Sequence, residues 1–274
     1  MTEADYQFLS AFLLARSGMV LNSNGHYLAK SRLPAVCRRH GLSDPVEVIA
    51  ILRGGSHPEI EAAVVEAMVI QETFFFRDKA LFAQVHDTVL PRLMEARASS
   101  RHLRIWSAAA STGQEAYSIA MMLTVMARRL DGWTVDIVAT DLSEVALERG
   151  RQGIYTHFEV QRGLPIQMLL KHFTQVDDLW QISADLRAMV RFTRVNLLDD
   201  LSGLGTFDLI LCRNVLMYFD DRTKRDVLER VVAQLANDGK LVLGGVETPV
   251  GLTEVVVADA GLKGIYRRAG CRHA

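Results

Sequence analysis

Leu103 to Ser118 reads LRIWSAAASTGQEAYS, and this stretch decides the fold. Leu103 through Ala108 predict a short strand, and Ser111, Thr112 and Gly113 a turn of small residues. From Gln114 onward, Tyr117, Ile119, Met121, Met122, Val125 and Met126 supply the apolar positions of a helix. Thr112 and Glu115 are spaced as a capping box, which puts the helix start there. Strand, small-residue turn and helix N-terminus together are how α/β proteins bring backbone N–H groups up to a nucleotide. The same unit also serves as plain α/β core, so this stretch alone leaves ligand binding and bare scaffold as equal readings. A dinucleotide fingerprint, G-x-G-x-x-G, is absent, since Gly113 is the only glycine of the turn. A turn running from Ala108 to Thr112 suits a ligand with less phosphate, or none.

Downstream, Thr134 to Thr140 (TVDIVAT) predicts a second strand ending at Asp141. An acid in that place binds ribose in α/β nucleotide binders. Alternatively, Asp141 and Glu144 simply cap the helix Ser143 to Arg151. Phe192 to Val195 predicts a third strand, leading into Asn196, Leu197 and Leu198. Phe207 to Cys212 (FDLILC) is almost uniformly apolar, as buried parallel strands are. It runs into Arg213-Asn214-Val215-Leu216-Met217-Tyr218-Phe219. Asp220 caps a helix with Val227, Leu228, Val231 and Leu235 on its apolar face. Asn237-Asp238-Gly239 predicts a turn into the strand Lys240 to Leu243. Glu254 to Val257 and Gly264 to Arg267 predict a closing antiparallel pair. Gly153 to about Arg191 breaks the βα rhythm, with a helix around Leu169, Leu170 and Phe173 and strands at Leu179–Ile182 and Ala188–Phe192. Residues 154–191 therefore read as an insertion, a usual carrier of partner recognition. The fold class is α/β with a doubly wound, mostly parallel sheet.

Upstream, residues 4 to about 70 predict short helices only. Tyr6, Phe8, Leu9, Phe12, Leu13 and Val20 carry one apolar stripe, and Asn22, Asn24 and Gly25 end it. Tyr27 to His40 carries Lys30, Arg32, Arg38 and Arg39, which is either a solvated face or a contact for an acidic partner. Gly41 stops that helix, Asp44-Pro45 opens the next, Gly54-Gly55 closes it, and Pro58 opens a fourth. The expected division is a helical domain, 1–70, and a second domain, 71–274, whose residues 71–100 form a linker and helix. Within QETFFFRD, Gln71 to Asp78, three consecutive phenylalanines cannot share one helix face, so some are expected to reach a neighbouring domain or a ligand. Phe82 to Ala96 continues as a helix.

The chain has 274 residues, 49% of them hydrophobic, with a net charge of -1. That balance argues against a nucleic acid as main partner. Cys37, Cys212 and Cys271 form no C-x-x-C pair and read as free thiols of a reducing, cytoplasmic compartment. The acidic start, MTEADYQ, lacks a signal peptide's basic region, and no apolar run reaches the ~20 residues that insert across a bilayer. No H-E-x-x-H, G-x-S-x-G or Walker lysine loop occurs, and the eight histidines lack metal-ligand spacing. Instead Thr112, Asp141, Asn196, Arg213 and Asn214 gather at the carboxyl ends of strands, where open α/β sheets bind ligands. None is an obvious nucleophile or strong base, so the site reads as one that positions reactants.

QETFFFRD, RIWSAAASTGQEAYSIA, ATDLSEVALERGRQGIY, VNLL and FDLILCRNVLMYFD run in this order from residue 71 to 220. Together they resemble the CheR-type chemoreceptor glutamate methyltransferases, which use S-adenosylmethionine. The resemblance implies the S-adenosylmethionine-dependent methyltransferase fold, with an N-terminal helical domain and a small inserted β-subdomain. It implies no metal, and S-adenosylhomocysteine as product. It places Gln71, Thr73 and Arg77 along the cofactor from the linker side. Gly113 in the turn and Glu115 would hold the methionine part, Asp141 the ribose hydroxyls, and Asn196 and Leu197 the adenine. Arg213 and Asn214 would border the sulfonium, with Arg77 and Tyr218 beside the transferred methyl. The substrate would be the cytoplasmic coiled coil of a chemoreceptor, docked on Lys30, Arg32, Arg38 and Arg39. The family usually has Asn where Gln71 stands, Glu-Glu-Pro-Tyr at Gln114–Tyr117, and a G-H-S-E-like stretch at Gly244-Gly245-Val246-Glu247. Nucleobase methyltransferases differ, showing Asn-Pro-Pro-Tyr or Asp-Pro-Pro-Tyr after the fourth strand. The alternative function is a non-catalytic module that senses S-adenosylmethionine.

Overall fold

The computed structural model describes residues 1–21 and 25–270. The turn expected at Asn22 and Asn24 and the Cys271 thiol lie outside the described residues. The chain divides into two compact units, Met1–Ile70 with Tyr218–Lys224, and Gln71–Met217 with Arg225–Ala274.

The first unit contains α1 (Glu3–Ser17), α2 (Gly25–His40), α3 (Pro45–Gly54) and α4 (Pro58–Met68). Local chemistry sets their ends. Thr2 and Asp5 form a capping box at α1, and Asp44 accepts from the N–H groups of Val46 and Glu47 ahead of Pro45. Left-handed Gly18 and Gly55 terminate α1 and α3. Leu9, Leu13, Leu33, Val48, Ile49, Val64 and Met68 are buried as the core.

The second unit begins with α5 (Lys79–Gln84), a π-helical turn at Val85–Val89 and α6 (Leu90–Ala96). The single helix expected over 82–96 is thus interrupted. Leu90 N–H donates to the Val85 carbonyl five residues back, just before Pro91, which has no N–H to give. Then follow β1 (His102–Ala108), α7 (Gln114–Val125), β2 (Thr134–Asp141) and α8 (Glu144–Gln152). The insertion comes next: β3 (Ile154–Thr156), α9 (His157–Gln161), α10 (Ile166–His172), β4 (Phe173–Val176), β5 (Leu179–Ile182) and α11 (Ala184–Ala188). The chain closes with β6 (Val190–Arg194), β7 (Phe207–Cys212), α12 (Asp221–Ala233), β8 (Leu235–Leu243), β9 (Val256–Ala258) and β10 (Ile265–Arg268).

The main sheet has seven strands in the order β6-β2-β1-β7-β8-β10-β9. The first five are parallel, and β10 runs antiparallel to β8 and β9. The chain winds outward from β1 through β2 to β6, then crosses to β7. The carboxyl ends of β1 and β7 therefore flank a topological switch point, where such sheets bind ligands. The inserted strands form their own antiparallel sheet, β3-β5-β4.

Two expected strands and one expected turn differ. Ala188–Phe192 and Phe192–Val195 are one strand, β6, because Val190 to Arg194 pair in continuous register with Ile137 to Asp141. Ala188 instead ends α11, whose start is capped by Ser183. Asn237-Asp238-Gly239 make no turn but an irregular part of β8, with Leu235 in the strand and not on the helix. Arg97 grips both oxygens of Asp238, at 2.7 and 2.6 Å, and holds this segment extended. Gly239 fits because a Cβ there would lie 2.9 Å from the Asp208 carbonyl oxygen.

The three phenylalanines find their contacts inside the second unit. Phe75, fully buried, meets Tyr155 and Phe173 of the insertion edge-on at 5.1 and 5.6 Å between ring centres. Phe76 packs on Phe82, and Phe74 lies beneath the guanidinium groups of Arg77 and Arg162. The linker thus fastens the insertion to the sheet domain. Phe75→Ala should destabilise the second unit by about 3–5 kcal/mol, read by denaturant unfolding.

Candidate functional site at the carboxyl edge of the sheet

Between β1 and α7 the backbone turns through three left-handed residues, Ala109 (φ 58), Ser111 (φ 51) and Gly113 (φ 90). A Cβ on Gly113 would lie 2.8 Å from the Phe192 ring, and one on Gly150 would lie 2.6 Å from it. These two glycines let Phe192 seat beneath the turn, which only glycine at Gly113 allows without strain. The expected capping box does not form. Gly113 is the N-cap of α7 and supplies no side-chain bond. Thr112 Oγ1 donates to Gln114 Oε1 at 2.8 Å. Glu115 is taken by stronger partners, accepting from Ser107 Oγ at 2.8 Å and Arg213 Nη1 at 2.7 Å.

Asp141 is the hub of the turn. Its Oδ2 accepts from Ser111 N–H at 2.8 Å, and its Oδ1 from Ser143 N–H at 2.9 Å. Gln71 Nε2 reaches Oδ1 at 3.4 Å, and Ser111 Oγ donates back to the Gln71 carbonyl at 2.9 Å. Burial raises the Asp141 pKa, while bonds from Ser143, Ser111 and Gln71 oppose the rise. The capping alternative is half realised: Ser143 caps α8 with its own hydroxyl, and Glu144 instead pairs with Arg151. Gln71 Oε1 is buried without a partner. A ligand hydroxyl or N–H would satisfy it.

Arg213, its side chain 2% exposed, closes the other side. It donates to Glu115, to the Arg77 carbonyl at 2.8 Å and to Asp78. Arg77 itself is half-buried, donating to the Glu72 carbonyl at 3.1 Å. Thr73 is half-buried in the extended linker. Asn196 follows β6 and accepts from Leu198 N–H at 3.1 Å, and Leu197 is buried. Asn214 is left-handed (φ 58), and its N–H donates to Glu247 Oε2 at 2.7 Å. Hydrogen bonds thus group Gln71 with Asp141, Glu115 with Arg213, and Asn214 with Glu247. Tyr155 was not singled out from the sequence, and Glu247 only as part of the Gly244–Glu247 stretch. Tyr155 donates from the insertion to the Thr112 carbonyl at 2.8 Å, and Glu247 binds the loop after β7. An acid placed just after the Gly244-Gly245 pair was the available signal for Glu247.

Tyr218 belongs to the first unit, where its carbonyl accepts from Val20 N–H at 2.8 Å. In that unit Lys30, Arg38 and Arg39 are exposed on α2. Arg32 is engaged elsewhere. Its Nη1 donates to the carbonyls of Ala67 and Val69 at 3.0 and 2.6 Å, closing the C-terminal end of α4. Among the described residues, no helix is long and apolar enough to cross a membrane, and no cluster of three or more His, Cys, Asp or Glu could hold a metal ion.

The family described as "CheR methyltransferase, SAM binding domain" matches residues 71–258. A "Chemotaxis protein methyltransferase" of Vibrio parahaemolyticus is 35% identical over 97% of this chain and 97% of its own length. A "Chemotaxis protein methyltransferase 1" of Pseudomonas aeruginosa is 39% identical, over 89% of this chain and 90% of its own. Among solved structures, a TehB-like SAM-dependent methyltransferase from Corynebacterium glutamicum aligns with a TM-score of 0.38 at 15% identity, covering 69% of this chain and 93% of that one.

The raised pKa of Asp141 has a thermodynamic consequence. A carboxyl whose folded pKa exceeds its unfolded value near 3.9 binds its proton more tightly when folded. Its stabilising share is complete below that unfolded value and is lost as pH rises through the folded pKa. The melting temperature of the wild type minus that of Asp141→Asn should therefore be largest near pH 4 and fall as pH rises. A difference that grows with pH would contradict this.

Proposed function

The chain belongs to the CheR methyltransferase family, and from that premise we propose that it methylates glutamate side chains of chemoreceptor cytoplasmic coiled coils in chemotactic adaptation. It is an S-adenosylmethionine-dependent methyltransferase. The observation that carries it is the buried Asp141 carboxylate, fixed by the turn it faces and flanked by the unpartnered Gln71 Oε1.

The residues at the carboxyl edge fit the cofactor. Asp141 would accept from the ribose hydroxyls. Gln71 and Thr73 would line the linker side, and Asn196 and Leu197 the adenine. Gly113 and Glu115 would hold the methionine part. Glu115 keeps lone pairs free for an ammonium group while its charge is balanced by Arg213. S-adenosylmethionine supplies, when bound, a sulfonium methyl that a carboxylate oxygen can take directly, leaving S-adenosylhomocysteine. A glutamate with a pKa near 4.3 is already ionised at neutral pH, so the protein needs no general base. Its task is alignment and exclusion of water. We assign Arg77 to steering the incoming carboxylate. The acceptor would dock, in the cytoplasm, on Lys30, Arg38 and Arg39. Arg32, spent on α4, contributes to that surface only by holding the helices.

Loss of a charged hydrogen bond costs about 1.5–3 kcal/mol, so Arg77→Ala should slow methyl transfer to a receptor cytoplasmic fragment by about 10–150-fold. S-adenosylhomocysteine affinity, measured by calorimetry, should change far less. Transfer at the wild-type rate would remove Arg77 from the chemistry, and a wild type that binds cofactor without turnover would make the chain a sensor. Arg38→Glu with Arg39→Glu should raise KM for the receptor fragment several-fold, less so at high salt. An unchanged KM would return these arginines to a solvated surface.

A further inference from the structure

Glu247 is 8% exposed, yet its charge is met by backbone N–H groups alone among the described residues. Oε2 accepts from Asn214 N–H at 2.7 Å and from Gly244 N–H at 2.8 Å. Oε1 accepts from Met217 N–H at 3.3 Å, and the Glu247 N–H donates to the Gly244 carbonyl at 2.9 Å. Cys212 and Leu243 are register partners at the carboxyl ends of β7 and β8. The carboxylate therefore ties together the two loops that leave these neighbouring strands. It also fixes Asn214, a non-glycine residue in the left-handed region, by the N–H that this conformation presents.

We propose that Glu247 is a positioning residue for the cofactor site, acting through the backbone of Asn214. This rests on the reading under Proposed function that Asn214 borders the sulfonium. Charge-assisted bonds to N–H groups are strong and directional, so they hold a loop more rigidly than neutral bonds would. The loop stays in place because Gly244 leaves room for the carboxylate. A Cβ at Gly244 would lie 2.6 Å from Glu247 Oε2 and 2.9 Å from Asn214 Nδ2.

Three variants separate this role from a merely structural one. Glu247→Ala removes the carboxylate. Gly244→Ala keeps it but displaces it. Glu247→Gln retains one oxygen able to accept from Asn214 and Gly244. Each is purified as the full chain, checked for cooperative unfolding, and titrated calorimetrically with S-adenosylhomocysteine. Glu247→Ala and Gly244→Ala should remain folded and bind about tenfold or more weakly, while Glu247→Gln stays within about threefold of wild type, following the usual worth of a charged hydrogen bond. Lowered melting temperatures with wild-type affinity, or failure of both alanine variants to fold, would mean a structural role and overturn the proposal. A wild type that does not bind S-adenosylhomocysteine overturns the cofactor reading itself, and this inference with it.

Discussion

A guanidinium group removed from water is tolerable only if every direction it donates along meets an acceptor. Arg213 meets it at both terminal nitrogens, through Glu115 on α7 and through Asp78 and the Arg77 carbonyl on the linker, with Phe82 beneath the guanidinium, while its Nε stays buried without a partner. Three stretches far apart in the chain are thereby locked at one end of β7. Removing either charge would strand the other in a buried place, a loss of about 3–5 kcal/mol for such pairs. The same linker is also tied down by Phe76 N–H donating to Ser118 Oγ and by Ser111 Oγ donating to the Gln71 carbonyl.

The turn after β1 obeys the same economy on a smaller scale. It uses left-handed backbone at Ala109 and Ser111, which costs energy for residues with a Cβ. The surroundings compensate at each point. Asp141 takes the Ser111 N–H, the Thr140 carbonyl takes that of Ala110, and Tyr155 donates to the Thr112 carbonyl. Because Tyr155 comes from the insertion, the geometry of the turn depends on that subdomain being seated. Phe75 seats it, packing between Tyr155 and Phe173. Phe75, the insertion and the turn after β1 thus form one packed assembly within the second unit.

Much of this was legible beforehand for definite reasons. FDLILC is apolar at every position but Asp208, and it emerges as β7 with the predicted bounds. Asp44-Pro45 and Gly55 mark the ends of α3 by capping chemistry that acts within a few residues. Asp141 stood out because an acid at the end of a strand has few roles, and in the structure it accepts from the N–H groups of Ser111 and Ser143. Long-range partners hid the rest. Nothing near Asn237-Asp238-Gly239 announces Arg97, which turns an expected turn into strand. Arg32 looked like its basic neighbours until the carbonyls at the end of α4 claimed it.

By itself, then, the amino-acid order determined the alternation of strands and helices, the helical N-terminus, the inserted segment and the row of polar residues at the strand ends. Those features follow from side-chain periodicity and local capping, which reach only a few residues along the chain. Tertiary structure alone decided that Glu115 answers Arg213 instead of capping its helix, that Asp141 holds Ser111, and that Glu247 holds Asn214. Buried charges choose partners by proximity in space, and proximity exists only once the sheet has brought its carboxyl ends together.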